Sequence, residues 1–590
     1  MSTLEPEPGQ VIPIGVSTPE PGAGTNLSHR QILMILSGLL LGMLLAALDL
    51  TIVSTSIRTI ADDLDGLSVQ AWVTTAYLIT STIATPLYGK LSDLYGRRPF
   101  FLLAISLFVI GSVLCTLATN MYMLAGFRAF QGLGAGGLFS LALAIIGDIV
   151  PPRERARYQG YFLAVFGTSS VLGPLVGGFF AGQDTILGIT GWRWVFLINV
   201  PLGIIALIVV ARVLHIPHTR RDHKIDFAGA LALTVTLVPL LIVAEQGRTW
   251  GWASDRSIAC YVIGAAGFIA FLWAEQRIGD DALLPMRLFK RKTFSIGSIL
   301  NLIIGMGMFG GLAALPLYLQ IVKGHTPTEA GLLMLPLTAG LMSGSIISGQ
   351  FISRTGRYKI FPIMGAFLFT LGMILLSTIQ VDTSLILVSG YSVLFGIGLG
   401  FNMQTLVLAI QNSVPPQDMG VATSSATFFR QMGGTLGTAV FLSVLFGTVA
   451  GNIKDAFAAA AKTPAFRQAI TDPAVTSNPD NQPVLQMLKG AGAAFNIDDS
   501  SFISKLDPRL AQPVLEGFAK SMSLVFTIGA GVLAIAFVVS FFLPEEKLRT
   551  QSGLQARESE EAATAATARA ESAAASAAAE RDLAKADEAV

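Results

Sequence analysis

Fourteen apolar stretches, each long enough to cross a bilayer as a helix, constrain this chain more than any other feature of it. A spanning helix needs about 20 largely apolar residues. Runs of that length fall at roughly 31–57, 69–89, 100–119, 122–147, 158–182, 194–214, 226–245, 258–277, 294–322, 328–352, 358–378, 384–411, 421–447 and 520–543. They are continuous, without the period-2 alternation of a membrane β-barrel. Within hydrocarbon every backbone N–H and C=O must be satisfied in its own segment, which leaves helices. The expected fold is an all-α polytopic membrane protein with 14 transmembrane helices. Composition agrees: 13% of the 590 residues are charged, about half the ~25% of an average soluble domain.

Several function classes drop out. Lys and Arg nearly balance Asp and Glu, for a net charge of +1, so no concentrated basic face points to nucleic acid. Cys115 and Cys260 are far apart in apolar runs, which offers neither a disulfide framework nor a metal cage. The sequence has no HExxH and no GxxxxGK[ST], so metal catalysis and ATP-driven pumping lack their machinery. Residues 1–28 are rich in Pro, Gly and Glu with no apolar h-region, and the first span itself is expected to direct insertion.

Basic residues orient the chain. Short loops after even-numbered spans hold sixteen Lys or Arg, among them Lys90, Arg97, Arg98, Arg153, Arg155 and Arg157; those after odd-numbered spans hold five. By the positive-inside rule both termini are expected to be cytoplasmic.

The chain also repeats itself. GLGAGGLFSLALAIIGDIVPP at 132–152 and GIGLGFNMQTLVLAIQNSVPP at 396–416 share Gly-x-Gly-x-Gly and a closing Val-Pro-Pro at an offset of 264. GKLSDLYGR at 89–97 parallels GQFISRTGR at 349–357, with Ser353 where the first copy has Asp93. Parallel repeats of this kind imply a transporter with its substrate path between two halves. The expected divisions are a disordered cytoplasmic segment 1–30, a six-helix bundle 31–215, an inserted helix pair 226–277, a second six-helix bundle 294–545 with an extracytoplasmic loop 448–519, and a solvated Ala/Glu-rich cytoplasmic tail 546–590. In the loop, residues 495–518 carry apolar side chains at helical spacing, and either a cap over the external mouth or a tethered loop fits them.

Particular motifs carry chemistry. In GKLSDLYGRR at 89–98, Gly89 and Gly96 permit close approach and a sharp turn, and Asp93 can pair with Arg97, Arg98 or a helix end as a conformational latch. This segment resembles the best-known loop motif of the major facilitator superfamily. LDLTIV at 48–53, RAFQGLGAG at 128–136, GPLVGG at 173–178, WRWVFLINVPLG at 192–203 and FFRQMGGTLGTA at 428–439 resemble motifs of its fourteen-spanner drug:proton antiporters. Trp72 and Tyr77 follow in helix 2 at that family's spacing. The fold implied is two six-helix bundles plus two inserted helices.

Asp49 is a carboxylate in mid-span, costly there unless protonated or paired. Two readings stand from the residues alone: a proton carrier, or a structural pair with a buried donor. The resemblance implies the first, with Arg128 of helix 4 tuning proton transfer. It also implies that Gly173, Pro174, Gly177 and Gly178 form the helix-5 antiporter motif, a seal or pivot. Asn301 and Phe309 in helix 9, Asn402 and Gln404 in helix 12, and Arg430 in helix 13 are candidates to line a substrate cavity with Trp72 and Tyr77; packing or, for Arg430, snorkelling to the cytoplasmic surface explains them equally. The implied function is proton-coupled antiport of amphipathic small molecules, drugs included, across the cytoplasmic inner membrane. The partners would be protons and membrane lipids, with the proton gradient as energy source, no cofactor, and a monomeric state. Export of an endogenous lipid, siderophore or metabolite is the other transport reading. A non-transporting membrane scaffold is a third.

Overall fold

The computed structural model describes residues 28–66, 69–215, 226–488, 503 and 505–587; residues 1–27, most of the expected N-terminal segment, lie outside them. Fourteen long helices build the bundle: α1 (His29–Asp63), α2 (Ala71–Tyr95), α3 (Arg97–Thr116), α4 (Met121–Ile149), α5 (Pro152–Ala181), α6 (Gly191–Val213), α7 (Phe227–Trp250), α8 (Asp255–Ile278), α9 (Lys292–Leu317), α10 (Thr328–Thr355), α11 (Ile360–Leu376), α12 (Leu385–Ser413), α13 (Met419–Ala460) and α14 (Pro508–Ser540). Twelve of these spans are long and apolar enough to cross a membrane by length and composition. The other two are α11, of 17 residues, and α2, whose last turns carry Lys90 and Asp93. A tail helix, α15 (Gly553–Asp587), follows.

Glycine explains how the helices come so close. In α4 a side chain at Gly132 or Gly136 would strike the carbonyls of Tyr77 and Ser81 on α2, and one at Gly134 would strike α3 at Ala104 and Phe108. In α12, Gly396 and Gly400 meet Leu337 and Leu341 of α10, while Gly398 meets Phe369 of α11. The repeated Gly-x-Gly-x-Gly therefore serves the same packing twice: α4 against α2 and α3, α12 against α10 and α11. Small residues let backbones approach where lipid gives no hydrophobic drive.

Buried apolar clusters follow this division. One holds the interior of α1, α3, α4 and α6, and a larger one that of α9–α14. A third is shared: Leu233, Leu237 and Leu241 of α7 and Phe271 of α8 pack with Ile79 and Ile83 of α2 and with Val421, Ala426 and Phe428 of α13. Helices α7 and α8 thus lie along the α2/α13 seam between the halves. Outward side chains such as Ile204, Ile208, Val262, Ile269, Trp273 and Ile347 are exposed, as lipid-facing residues are.

Two helices outrun their apolar runs. Helix α13 runs on to Ala460 and α14 begins at Pro508, so both project well beyond the apolar runs. The reason is local: KDAFAAAAK favours helix and no breaker intervenes before Pro464. Phe457 and Ile453 of the projecting α13 pack with Phe466, Val475, Ile503, Leu510, Val514 and Phe518 into a small folded cap at the end of the second half. The side-chain hydrogen bond from Arg509 holds the Asp507 carboxyl at the start of α14 below the usual carboxylate range. Residues 495–502 and 504, part of the segment expected to cap the mouth, lie outside the described residues.

The tail also departs from the sequence reading. Its first turn is docked, because Leu554 offers an apolar side chain that buries in the cluster of the first half, and Ser552 is buried beside it; from Glu558 to Ser576 the residues with described side chains are exposed.

Candidate functional site

Asp49 and Arg128 meet. The Arg128 guanidinium donates to Asp49 Oδ2 at 2.6 Å, and neither residue has any solvent exposure. Three further polar side chains complete the site. Gln131 Nε2 donates to Asp49 Oδ1 at 3.0 Å, and Asn199 Nδ2 donates to the same oxygen at 2.8 Å. Arg128 also donates to Gln131 Oε1 at 2.6 Å, and Ser112 Oγ accepts from Gln131 at 2.7 Å. Helices α1, α3, α4 and α6 each contribute a member, so one carboxylate ties together most of the first half. Tyr77 of α2 completes the wall, with Arg128 lying 4.1 Å above its ring. A charge buried without such partners would cost several kcal/mol.

The second site lies at the end of the bundle that carries the basic loops. Asp93, in the last turn of α2, pairs with Arg97 at 2.5 Å and accepts from the main-chain N–H groups of Gly420 at 3.1 Å and Val421 at 2.8 Å. Those N–H groups open α13, where unpaired donors and the helix dipole favour an anion. Arg97 also donates to Asp148 of α4 at 2.7 Å and to Ser92 at 2.6 Å. A side chain at Gly89 would collide with Ser424 and Gly420 of α13. Gly96 takes φ +99° at the turn into α3. Arg98 binds the Ala211 carbonyl on α6 at 2.6 Å and takes no part in the contact between the halves.

Further ties join the halves at this end. Arg153 of α5 donates to the carbonyls of Ser353 and Arg354 at the end of α10, at 3.1 and 3.0 Å. Arg155 donates to Gln411 Oε1 of α12 at 2.5 Å, and Gln411 Nε2 donates to the Leu143 carbonyl at 3.2 Å. Nearer the middle, Thr85 of α2 donates to Gln431 of α13 at 3.1 Å.

In α5 the motif glycines and the proline face different neighbours. Gly173 and Gly177 pack on Thr51, Ile52 and Thr55 of α1, and Ser56 Oγ donates to the Gly177 carbonyl at 3.1 Å. Pro174 stands 3.5 Å from where a side chain at Gly331 of α10 would begin, so it lies on the seam between the halves. Gly178 has open space beside it.

The remaining candidates are divided between the two halves. Trp72 packs among the buried residues at the far end of the first half. Asn402 turns its amide to the Gly398 carbonyl at 2.9 Å and lies beside Gly365 of α11. Asn301 bonds to Gly297 of its own helix at 2.9 Å, and the Phe309 ring covers Gly434. Gln404 is buried on α12. Arg430 is not at the helix end, as the snorkelling reading required: it lies three turns into α13 and is 7% exposed.

Sequence reasoning missed Gln131, Asn199 and Ser112 around Asp49, and Asp148, Arg153, Arg155 and Gln411 between the halves. Gln131 and Asn199 stand inside motifs already singled out. The available signal was a neutral amide in an otherwise apolar span, which needs a partner as much as a charge does.

A family model for the Major Facilitator Superfamily matches residues 39–438. The chain belongs to that superfamily. Among its relatives is the Bacillus subtilis multidrug transporter protein MdtP, 34% identical over 538 residues, which cover 90% of this chain and 96% of that one. A tetracycline resistance determinant of Streptomyces rimosus is 38% identical over 341 residues, covering 56% of this chain and 97% of the relative. A bacterial homologue of the human lysosomal transporter Spinster shares the fold, with a TM-score of 0.53 at 18% identity over 88% of this chain and 98% of that one. With that family and these relatives, the chain is a multi-pass membrane transporter of the superfamily, and not an enzyme.

Proposed function

We propose that this protein is a proton-coupled antiporter that exports amphipathic small molecules by alternating access. The observation that carries the reading is the Asp49–Arg128 pair, a carboxylate with no solvent exposure bonded to two helices besides its own. Protonation removes the charge that holds Arg128, leaving the guanidinium with Gln131, and slackens the α1–α4 contact. The names of the relatives favour drug-like cargo.

Helix α4 supplies a mechanical link. Arg128 and Asp148 stand twenty residues apart on it, about 30 Å at 1.5 Å per residue. One rigid helix thus carries both the partner of Asp49 and the partner of Arg97 in the latch. With the latch closed, the basic end is shut. Taking that end as cytoplasmic, with both termini on the same side, the conformation is closed toward the cytoplasm. The repeats act as two six-helix halves that rock against each other, with α7 and α8 as an added pair in a single monomeric chain.

The energetics suffice. A proton entering down 100 mV contributes ~2.3 kcal/mol, and one pH unit adds ~1.36 kcal/mol. Together they sustain a roughly 500-fold gradient of a neutral solute, since each ~1.4 kcal/mol is tenfold. The test is accumulation of a fluorescent amphipath in bacteria expressing the protein, with and without a protonophore. Expression is expected to lower accumulation several-fold, and the protonophore to abolish the difference. A difference that survives the protonophore contradicts proton coupling.

A further inference from the structure

The guanidinium of Arg430 is a buried cation that the proton-coupling site and the latch leave unused. Among the described residues every other buried arginine has partners: Arg128 has Asp49, Arg97 has Asp93 and Asp148, and Arg155 has Gln411 with the Val150 and Gly147 carbonyls. Arg430 is 7% exposed, and among the described residues it has neither a hydrogen-bond acceptor nor a carboxylate. Eleven residues separate it from the start of α13, about 16 Å and close to half the ~30 Å hydrocarbon thickness.

Two packing registers show what faces it. Gln411 of α12 donates to Thr423 of α13 at 2.8 Å. Seven residues from each, in antiparallel directions, stand Gln404 and Arg430. Two helical turns return to nearly the same face and the same depth, so Gln404 and Arg430 occupy facing positions. The second register is Gly305 of α9, which lies against the Arg430 backbone. A helical side chain leans toward its own N-terminus, here toward the level of Asn301, one turn before Gly305. Gln404 and Asn301 are both buried polar residues. A buried cation level with two amides, with no anion beside it among the described residues, is an incomplete ion pair.

We infer that Arg430, with Gln404 and Asn301, forms a subsite for one anionic oxygen group, so that the amphipaths carried include carboxylates. The inference deepens the export reading and rests on it for transport, though not for binding. The substrate's carboxylate supplies the counter-charge that Arg430 lacks among the described residues, and an Arg fork takes a carboxylate through two parallel N–H···O bonds.

The test uses the full chain in detergent and two probes, dansyl-undecanoic acid and its neutral carboxamide, with binding read by dansyl fluorescence. Wild type is expected to bind the acid at least tenfold more tightly than the amide. Arg430→Gln is expected to abolish that preference while changing amide affinity less than twofold, and Arg430→Lys to keep an intermediate preference. The lysine variant also serves should the glutamine variant fail to fold. Equal affinity of wild type for the two probes, or equal loss of both in Arg430→Lys, overturns the subsite. Liposomes that bind the acid with this preference but move neither probe contradict the export reading and leave the subsite standing.

Discussion

The carboxylate of Asp93, at the end of α2 in the first half, accepts the main-chain N–H of Val421, in the first turn of α13 in the second half, at 2.8 Å. One aspartate thus caps a helix that belongs to the other bundle. The counterpart of Asp93 by repeat is Ser353, and that seam is held in the reverse sense: Arg153 donates to the carbonyls that end α10. Both ties use the partial charge of a helix end, positive at the start of α13 and negative at the end of α10. The pairing Asp93–Val421 is part-buried and charge-assisted, while Arg153 is exposed, so the two seams are unequal.

Asp93→Asn is therefore expected to open the basic end. A hydrogen bond to a charged group is worth ~1.5–3 kcal/mol, a shift of about ten- to a hundredfold in the closed-to-open ratio. Spin labels at Glu154 and Thr355, both exposed beside the α5/α10 seam, would report a new longer-distance population by pulsed electron resonance. An unchanged distance distribution contradicts the latch.

Gly89→Leu attacks the same closure by volume. The new side chain would occupy the space of Ser424 and Gly420, and the α2/α13 seam has no void to receive it. The same labels are expected to show the open population. Transport is expected to fall at least tenfold with the protein still folded and monodisperse.

Asp49 and Arg128 are expected to be strongly coupled in stability. Either single change, Asp49→Asn or Arg128→Gln, leaves a buried group without its partner, at a cost of roughly 3–5 kcal/mol. The double variant removes both charges and is expected to recover much of that loss in thermal melting, but none of the transport. Additive losses would mean that the two do not act as a pair.

The docked tail is expected to favour the closed basic end. Arg549 donates to the Val414 carbonyl just ahead of α13 at 2.7 Å, its N–H binds Asn412 at 3.0 Å, and Leu554 buries in the first half. Residues 549–554 thus span both halves. Leu554→Asp is expected to shift the labelled distances toward the open state, and deletion of 557–590, which leaves these contacts in place, to leave them unchanged.

Much of this was legible in the sequence, for identifiable reasons. Lipid enforces continuous apolar runs, so spans could be counted; α2 was found despite Lys90 and Asp93 because its apolar part precedes them. The Gly-x-Gly-x-Gly repeat was visible because only glycine permits those contacts. Asp49 and Arg128 stood out as isolated charges, but their meeting depends on the rotation of α1 against α4, which local sequence does not specify. Apolar runs do not mark the ends of α13 and α14, where hydropathy ends but helix propensity continues. Leu554 was passed over because one apolar residue in an Ala/Glu-rich segment carries no periodic signal.

The measurement that bears most directly on proton coupling at Asp49 is proton flux in proteoliposomes. Wild type and Asp49→Asn would be reconstituted under an imposed pH gradient, and internal pH followed on adding an amphipathic substrate. Wild type is expected to move protons only when substrate is present, and Asp49→Asn to move none above empty liposomes. Equal substrate-dependent flux through both proteins would contradict the account and place the carrier elsewhere.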